Sequence, residues 1–522
     1  MADSSAPLLS QGDEESDKIK PEEVSGFTFD KVMEQSLSSF GFSQFVQTFL
    51  VGFASFFDSQ QIFITVFADA YPTWHCVDRT ICNPVDSDIC QLPRSAWDWD
   101  DVGSKGKSII SSFGLECSSS LLRDLPTSAF YVGCVVGGFL LAMIPDTFLG
   151  RKKLLFFSTL ATSLTGIAIS LSPNVWIYSL LKFMIGFARS LLGTYVVVLI
   201  TERVGTRWRP RAGMIPFTLF VLGFMSLSGI AYIARNFSWR VLYLCTSIPA
   251  AIYSILLYLF AFESPRWLSM VGRNEEAKNV LEKISKTNKA TLVSLFALLP
   301  LTQESKDRGR KYSIKDLFIR KWALRRISTV MVIAFGIGMS YYGVPLAVRG
   351  VNVNIYVGEA LNALVELPSF VLTPFLLEKF NRRSSLLTCN LIGGITGISC
   401  FVLSVLGKGK LGFVLELACF FCSRMGFNLM MVYVVEMFPT CVRNSATTMA
   451  RQALVVGGIC SPMISSIGLN VPLLPFAVFG ASLFVFGLFG LLLPETKGSS
   501  LCDTMEEQEE KDRLGLNASC RC

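Results

Sequence analysis

The chain has 522 residues, of which 51% are hydrophobic and only 17% are charged, and its formal net charge is +7. A soluble domain carries roughly 25% charged residues. The mean hydropathy of +0.48 implies more apolar surface than one or two soluble cores can bury. This composition excludes an ordinary soluble protein and predicts an all-α membrane protein.

The first 43 residues are predicted to form a cytosolic tail. Residues 1–26 are acidic and rich in Ser, which is unlike the basic and then apolar pattern of a cleavable signal peptide. Leu8 and Leu9, after Asp3 and Pro7, resemble an acidic dileucine sorting signal. The pattern slightly favours a vacuolar over a plasma membrane, although a chance match in a polar tail stays open.

Apolar runs of about 20 residues predict twelve membrane-spanning helices in two sets of six. The runs of the first half are 44–70, 126–145, 153–172, 176–200, 212–233 and 241–262. Those of the second half are 327–347, 355–377, 385–406, 412–435, 446–468 and 473–493.

Lys and Arg occupy alternate short loops, which places those loops and both termini in the cytosol. The segment 262–326 between the halves holds fifteen Lys and Arg against seven Asp and Glu. The basic balance therefore belongs to a cytosolic linker, so anionic lipid headgroups are expected to contact it and nucleic acid is not. The predicted parts are a bundle at 44–262 with an outer loop at 71–125, a linker at 263–326, a bundle at 327–493 and a tail at 494–522.

Charged motifs repeat at one offset along the chain. Glu202, Thr206 and Arg209 recur 234 residues later as Glu436, Thr440 and Arg443. Two further pairs lie 232 residues apart, namely Glu263 with Glu495 and Asp146 with Glu378. The repeat predicts two pseudo-symmetric halves, and a binding site near the membrane midplane between such halves is typical of secondary transporters.

Four cysteines share the predicted outer loop: Cys76, Cys82, Cys90 and Cys117. Four thiols on the oxidising side of a membrane predict two disulfides, with three connectivities open. A zinc site is not favoured, because no C-x-x-C pair is present. His75, the only histidine, is interpreted as structural. Asn236 and Ser238 form a glycosylation sequon in a loop that is short for modification.

Ionisable residues at membrane depth indicate function unless a structural role accounts for them. Arg189 and Arg424 precede their paired glutamates by thirteen and twelve residues, so we interpret both as bonds between helices. Lys182 and Glu416 lie near the outer ends of their spans, where side chains that extend to the interface are expected. The remaining candidates are Asp58, Glu366 and Arg451.

Several motifs together resemble those of a known family. GRKK at 150–153, ITE at 200–202, VVE at 434–436, ESPRWL at 263–268 and PETKG at 494–498 resemble the major facilitator superfamily and its sugar porters. The cysteine-bearing outer loop, SYYG at 340–343, VELP at 365–368 and RNSATTMAR at 443–451 are similar to the plant branch of the organic cation/carnitine transporters. The resemblance covers about residues 40–500.

This resemblance implies two six-helix bundles that work by alternating access. Arg151 and Lys152 are then expected to engage Glu202 and Glu263, and the equivalent residues of the second half to do the same. Such pairs would close the bundles on the cytosolic side, unless the charges merely follow the positive-inside rule. The residues of this network are Asp146, Arg151, Lys152, Glu202, Arg209, Glu263, Arg266, Glu378, Arg382, Arg383, Glu436, Arg443 and Glu495. Asp146 is the member whose spacing departs from the family pattern.

The same resemblance implies a cation site around Glu366 in the eighth span. Tyr341 and Tyr342 would add aromatic faces, which attract a quaternary ammonium. Arg451 would pair with a carboxylate, so a zwitterion such as carnitine would suit the site. Asp58 is either a second cation anchor or a hydrogen bond to a neighbouring helix. Phe220 is a weaker candidate, because an aromatic stripe with Phe217 and Phe224 at helical spacing is usually packing.

Two other functions stay open. A porter of sugars or other neutral solutes needs Gln and Asn in the fifth and seventh spans, and residues 212–233 and 327–347 have none. A transporter-like receptor needs a cytosolic output domain, for which the tails are short. An enzyme is not expected, because the sequence shows no pair of a nucleophile and a base. No cofactor or metal is expected either. The substrate, coupling to H+ or Na+, and the oligomeric state are left open.

Overall fold

The computed structural model describes most of the chain. The described residues are 33–34, 36–37, 40–78, 80–83, 89–99, 108–142, 149–284, 314–348, 353–407, 409–468, 471, 473–498 and 502–519. The dileucine at Leu8 and Leu9 and the network residue Asp146 lie outside them.

The first half is built from long helices. They are α1 (Phe42–Phe63) with its short continuation α2 (Thr65–Ala68), α3 (Ile109–Phe113), α4 (Ser120–Ala142), α5 (Arg151–Ile169), α6 (Val175–Arg189), α7 (Leu192–Thr201), α8 (Arg209–Ile233) and α9 (Trp239–Phe260). Side chains fix several starts, since Asn174 accepts a hydrogen bond from the Ile177 backbone N–H and so caps α6.

The linker adds three short helices, α10 (Pro265–Met270), α11 (Asn274–Ile284) and α12 (Ile314–Ile319). Helix α11 starts with Glu275 and Glu276 and has Lys283 in its last turn, which complements the helix dipole. Its buried residues Leu281 and Ile284 pack on the same cluster as residues of α10. This apolar face attaches the beginning of the linker to the first half.

The second half repeats the arrangement. Its helices are α13 (Lys321–Ala347), α14 (Ile355–Lys379), α15 (Arg382–Val405), α16 (Gly409–Met437), α17 (Thr440–Ile467) and α18 (Leu474–Leu488), followed by the tail helix α19 (Met505–Ser519). Arg320, just before α13, forms an ion pair with Glu509 of α19 at 2.6 Å. Arg326 pairs with Asp512 at 2.8 Å, so the tail lies against the start of α13.

Within the described residues, ten helical segments are long and apolar enough to cross a membrane. The continuous pairs α1–α2 and α6–α7 each count as one of them. Helices α5 and α17 occupy the positions of the third and eleventh predicted spans but are not among the ten. Helix α5 begins with three basic residues, and α17 contains Arg443 and Arg451. The fold is that of a multi-span helical membrane protein, and the count of twelve spans stays a prediction.

The helices pack with the same pairing in both halves. In the first half α1 packs on α8, α4 on α6 and α5 on α9; in the second half α13 packs on α17, α14 on α16 and α15 on α18. The halves meet along two helix pairs, α4 with α17 and α8 with α14. These two pairs are equivalent under the internal repeat, so the molecule is pseudo-symmetric about the boundary between its halves.

Glycines bring some of these helices unusually close. A Cβ atom added to Gly133 of α4 would stand 2.1 Å from the Phe183 carbonyl oxygen of α6, and one on Gly186 would stand 2.0 Å from the Phe130 carbonyl oxygen. Neither clash can be relieved by a side-chain rotation, because the obstacle is backbone. Small residues therefore allow α4 and α6 to pack backbone to backbone, as is common between membrane helices.

The outer loop carries a small sheet and two disulfides. Strand β1 (Trp74–Cys76) pairs antiparallel with β2 (Trp97–Trp99), which places exposed His75 opposite Asp98. The disulfides join Cys76 to Cys82 and Cys90 to Cys117. The structure thus selects one of the three connectivities that the sequence left open, and the sheet is a local exception to the all-α class.

Candidate transport site and charge networks

Glu366 lies inside the second half rather than on its surface. Its side chain is 0% exposed, and Oε1 accepts a hydrogen bond from the Tyr341 hydroxyl at 2.9 Å. The Nε atom of Arg424 stands 3.6 Å from Oε2. Helices α13, α14 and α16 therefore meet at one charged cluster, in which the predicted cation anchor already has a cationic neighbour.

Asp58 has an equally direct partner in the first half. Arg189 donates from Nε to Oδ1 at 2.6 Å and from its second terminal nitrogen to Oδ2 at 2.7 Å. This two-bond geometry is the strong form of an Arg–carboxylate pair. It joins α6 to α1, and this matches the intramembrane bond that the sequence left as one of two readings for Asp58.

Both Arg189 and Arg424 thus connect helices within their own half, as the sequence predicted for them. The Arg424 guanidinium also lies 5.1 Å from the ring centroid of Phe427 and 5.2 Å from that of Phe370. Arg189 lies 5.6 Å from the ring centroid of Phe130. Aromatic faces and carboxylates together compensate these buried cations.

Aromatic rings fill the boundary between the halves beside these pairs. Tyr341 approaches Phe63 of the first half at 6.4 Å between ring centroids, and Phe63 stacks on Phe224 at 3.8 Å. Phe220 lies 6.3 Å from Phe63 and is partly buried. The predicted residues Tyr341 and Phe220 therefore share one aromatic cluster, although they belong to different halves.

Tyr342 also faces the first half. Its ring lies 4.9 Å from that of Tyr131 on α4. Gly458 of α17 touches both rings, since an added Cβ would stand 2.9 Å from each. Tyr342 is therefore at the boundary of the halves, whereas Tyr341 is turned towards Glu366.

Arg451 of α17 reaches across the boundary. Its terminal nitrogen donates to the Thr194 hydroxyl of α7 at 2.8 Å. Unlike Arg189 and Arg424, Arg451 has no carboxylate within ion-pair distance in the described part of the chain. Arg451 is therefore a cation at the boundary whose described hydrogen bond goes to a neutral hydroxyl.

The sequence interpretation of Lys182 and Glu416 is wrong. Both were expected to extend towards the membrane interface, but Lys182 is 1% and Glu416 is 0% exposed. The Lys182 ammonium lies 5.4 Å from the ring centroid of Phe130 and 5.5 Å from that of Tyr243. Helix position alone does not determine these environments, because the side chains project into the bundle and not outwards.

On the side that is predicted to face the cytosol, the first half holds one charged network. The Nε of Arg151 stands 3.8 Å from Glu202, and the Lys152 backbone N–H donates to Glu263 at 3.0 Å. Arg209 of α8 lies 3.9 Å from Glu34 and donates to the Val204 carbonyl. Glu263 therefore caps the beginning of α5 through a backbone amide, where the sequence predicted an ion pair with the Lys152 side chain.

The second half repeats this network closely. Arg382 pairs with Glu436 at 3.0 Å, and Glu495 accepts from the backbone N–H groups of Arg382 and Arg383 at 2.9 and 3.1 Å. Arg443 donates to the Phe438 carbonyl, five residues earlier, as Arg209 does in the first half. The internal repeat thus extends from sequence motifs to individual hydrogen bonds.

None of these described pairs links one half to the other. The expectation that they hold the two bundles together is not met in this structure, because each network lies within its own half. Glu378 is exposed at the end of α14 and makes no ion pair with a described residue. Arg266 is exposed on α10.

Sequence reasoning missed Arg203, which is buried beside the first network. The guanidinium donates to Gln47 at 3.3 Å. Burial lowers the pKa of Arg203 to about 10, and the nearby charges of Glu263 and Glu202 oppose that shift. Its position directly after Glu202 in a repeated motif was a signal that could have added it to the network.

Three more missed residues connect the halves on the side that is predicted to be extracellular or lumenal. Ser466 of α17 donates to Asp124 of α4 at 2.5 Å, and Ser128 donates to the Ile459 carbonyl at 3.1 Å. The predicted second span began at residue 126, so Asp124 fell outside the set of ionisable residues at membrane depth. The error was one of boundary placement.

Comparison with known proteins identifies the family. A family model described as sugar (and other) transporter matches residues 40–508. Organic cation/carnitine transporter 5 of Arabidopsis thaliana is 66% identical over 521 residues, which cover 100% of both chains. Organic cation/carnitine transporter 6 of the same plant is 63% identical, again over 100% of both chains.

The chain belongs to the sugar (and other) transporter family and, within it, to the plant organic cation/carnitine transporters. Similarity extends to animals, since human solute carrier family 22 member 2 is 30% identical over 85% of this chain and 79% of its own. The xylose transporter XylE from E. coli, in an inward-open conformation, is similar in fold with a TM-score of 0.64 at 18% identity, over 90% of this chain and 98% of that one. The fold is therefore that of the major facilitator superfamily, as the motifs predicted.

Proposed function

We propose that this family member transports small organic cations and zwitterions across a membrane by alternating access. The observation that carries the proposal is the identity of 66% and 63%, over the full length, to two relatives named organic cation/carnitine transporters. The protein acts as a transporter and not as an enzyme, with a small molecule as its partner and the lipid bilayer as its surroundings.

The boundary between the halves supports such a substrate. The aromatic cluster of Tyr341, Phe63 and Phe220 offers ring faces, and a cation over such a face gains about 0.5–2 kcal/mol. Glu366 places a carboxylate directly behind Tyr341, 2.9 Å from its hydroxyl. We propose that the ammonium group binds against these rings and that Glu366 supplies the negative charge.

Arg451 would hold the other end of a zwitterion. It lies at the same boundary, and its hydrogen bond in the described structure goes to a neutral oxygen, the Thr194 hydroxyl, at 2.8 Å. A ligand carboxylate would replace a neutral acceptor by a charged one, which strengthens a guanidinium hydrogen bond. Arg451 would therefore favour zwitterions over simple cations.

Uptake into proteoliposomes tests the proposal. Purified protein is given labelled tetraethylammonium, choline, carnitine and glucose, with pH, Na+ and voltage gradients imposed one at a time. We expect saturable uptake of at least one ammonium compound, and the gradient that drives its accumulation identifies coupling to H+, Na+ or voltage. Uptake of glucose alone would instead establish a neutral-solute porter, and transport of none of the four would contradict the proposal.

For the location, we propose the vacuolar membrane, on the basis of the acidic dileucine at Leu8 and Leu9. A fluorescent fusion of the full chain should label the vacuolar membrane, and the double change Leu8→Ala and Leu9→Ala should move it to the plasma membrane. An unchanged distribution would show that another signal directs the protein.

A further inference from the structure

A cavity lies between the two halves on the outer side, away from Glu366 and Arg451. It has a volume of about 130 Å³. Asp69, Asp124 and Thr127 line it from the first half, and Ser465, Ser466 and Pro475 line it from the second. Thr65 and Val66 also line the cavity, and they lie two and three residues after Phe63 of the aromatic cluster.

The two carboxylates of the cavity differ in what they already bind. Both oxygens of Asp69 accept hydrogen bonds, Oδ1 from Tyr178 at 2.5 Å and Oδ2 from Thr127 at 3.0 Å. The buried ammonium of Lys182 lies close enough to interact electrostatically with Asp69. Asp69 therefore already has a hydrogen-bond donor on each oxygen and a nearby cation within its own half.

Asp124 has spare binding capacity. Asp124 is only 8% exposed, and its Oδ1 accepts a hydrogen bond from the Ser466 hydroxyl across the boundary at 2.5 Å. Its other oxygen, Oδ2, has no hydrogen-bond partner in the described part of the chain. A buried carboxylate oxygen without a donor is costly, so the cavity favours a ligand that brings positive charge to it.

A second side chain of the cavity, Arg123, suits the carboxylate end of a zwitterion. Arg123, beside Asp124, also lines the cavity and lies 5.8 Å from the ring centroid of Tyr71. Its Nε is buried and has no hydrogen-bond partner among described residues. The cavity thus pairs an incompletely bonded carboxylate with an incompletely bonded guanidinium.

We propose that this cavity is an outer entry site in which Asp124 binds the ammonium group of the substrate before it reaches the central aromatic cluster. The inference rests on the proposed function, because it assumes that organic cations are carried. The positive charge of the ligand approaches the free oxygen Oδ2 and draws on the same carboxylate charge that the Ser466 hydroxyl contacts at Oδ1. Binding therefore weakens a hydrogen bond that joins α4 to α17 and favours separation of the halves on the outer side.

The two faces of the membrane distinguish this site from the central one. Initial rates of tetraethylammonium transport are measured in proteoliposomes of known orientation, with substrate added to the outer or to the cytosolic face. Asp124→Asn keeps the shape and an acceptor for Ser466 but removes the charge. We expect the KM from the outer face to rise about tenfold, the equivalent of ~1.4 kcal/mol, and the KM from the cytosolic face to stay within about twofold.

Ser466→Ala is the matched control on the other half. It removes the hydroxyl that donates to Oδ1 and keeps the carboxylate, whose full charge is then left to the ligand, so the outer KM should fall about threefold, the equivalent of ~0.7 kcal/mol. Arg123→Gln should raise the outer KM of carnitine and leave that of tetraethylammonium unchanged. If Asp124→Asn does not fold, the Ser466→Ala result decides, and an unchanged or higher outer KM overturns the proposal.

Other outcomes are equally informative. A KM that changes alike from both faces in Asp124→Asn would place Asp124 in the central site and overturn the entry site. An outer KM unaffected by either substitution would overturn it as well. Failure of the wild-type protein to transport any ammonium compound from either face would contradict the proposed function itself, which is a separate result.

Discussion

Glu366 and Arg424 form a buried ion pair, and separating the two charges costs free energy. Removing one member of a buried ion pair leaves an uncompensated charge and typically costs about 3–5 kcal/mol. Both side chains are almost fully buried here, at 0% and 4% exposure. A change at Glu366 alone therefore alters the stability of the fold and the charge of the site together, and the two effects must be separated by experiment.

We predict that Glu366→Gln lowers both thermal stability and cation uptake, because Arg424 loses its counter-charge. The double variant Glu366→Gln with Arg424→Gln removes both charges and should regain much of the stability. If the Glu366 charge is what attracts the substrate, uptake of tetraethylammonium by the double variant stays at least about tenfold below wild type, or ~1.4 kcal/mol. Thermal unfolding and uptake are measured on the same preparations.

Tyr341→Phe is the matched control, since it removes only the hydroxyl that donates to Glu366 and keeps the ring. Its cation uptake should fall by less than that of the double variant. Wild-type uptake by the double variant would show that Glu366 and Arg424 are purely architectural and that the ammonium binds elsewhere.

At the residue scale, sequence reasoning found charges but not their surroundings. It identified Glu366, Asp58 and Arg189 because an ionisable residue is conspicuous in an apolar run. It failed for Lys182 and Glu416, since the position along a helix does not reveal which way a side chain projects. The partner of each charge lies on another helix, and that contact appears only when the helices pack.

At the scale of the helix, the repeated motifs place a carboxylate at the same point in each half. Glu263 accepts from the backbone of Lys152 at the start of α5, and Glu495 does so at the start of α15. A negative charge at a helix N-terminus satisfies unpaired amides and interacts favourably with the helix dipole. The motifs therefore fix the start of α5 against the chain that follows α9, and the start of α15 against the chain that follows α18.

We predict that neutralising Arg382 or Glu436 slows turnover while substrate affinity changes by only a few-fold. The pair joins α15 to α16 at 3.0 Å, so its loss loosens the unit that has to move, and it touches none of the proposed substrate-binding residues. Arg382→Gln, Glu436→Gln and the double variant are compared for maximal uptake rate and KM. Maximal uptake equal to wild type in the double variant would contradict a role of this pair in the conformational cycle.

The equivalent substitution Arg151→Gln serves as an internal control, because its contact with Glu202 is longer, at 3.8 Å. It should slow transport less than Arg382→Gln does.

Sequence alone could predict that both networks exist, since the charges repeat in register. It could not predict the capping bonds of Glu263 and Glu495. Their donors are backbone amides, which nearly every residue has, so no residue type in a motif identifies them.

At the scale of the molecule, the halves contact each other through two equivalent helix pairs, α4 with α17 and α8 with α14. The charge networks stay within the halves, so each half can move as a unit while these contacts remain intact. Such a boundary suits alternating access, in which one repeat rocks against the other around a central site. Apolar runs of about 20 residues predicted the helices of this arrangement, whereas the boundary depends on which helix faces meet.

Arg451 belongs to the second half and donates a hydrogen bond to Thr194 of the first half. Its substitution therefore tests whether it serves substrate recognition or contact between the halves. We predict that Arg451→Ala weakens carnitine transport more than tetraethylammonium transport, since only carnitine carries a carboxylate to pair with the guanidinium. A charge-assisted hydrogen bond contributes about 1.5–3 kcal/mol, so the carnitine KM should rise at least about tenfold. Thr194→Val is the matched control: it removes the hydroxyl that Arg451 donates to at 2.8 Å and keeps the charge, so both substrates should be affected alike and weakly. If Arg451→Ala depresses both substrates equally, Arg451 serves contact between the halves and not recognition of a carboxylate.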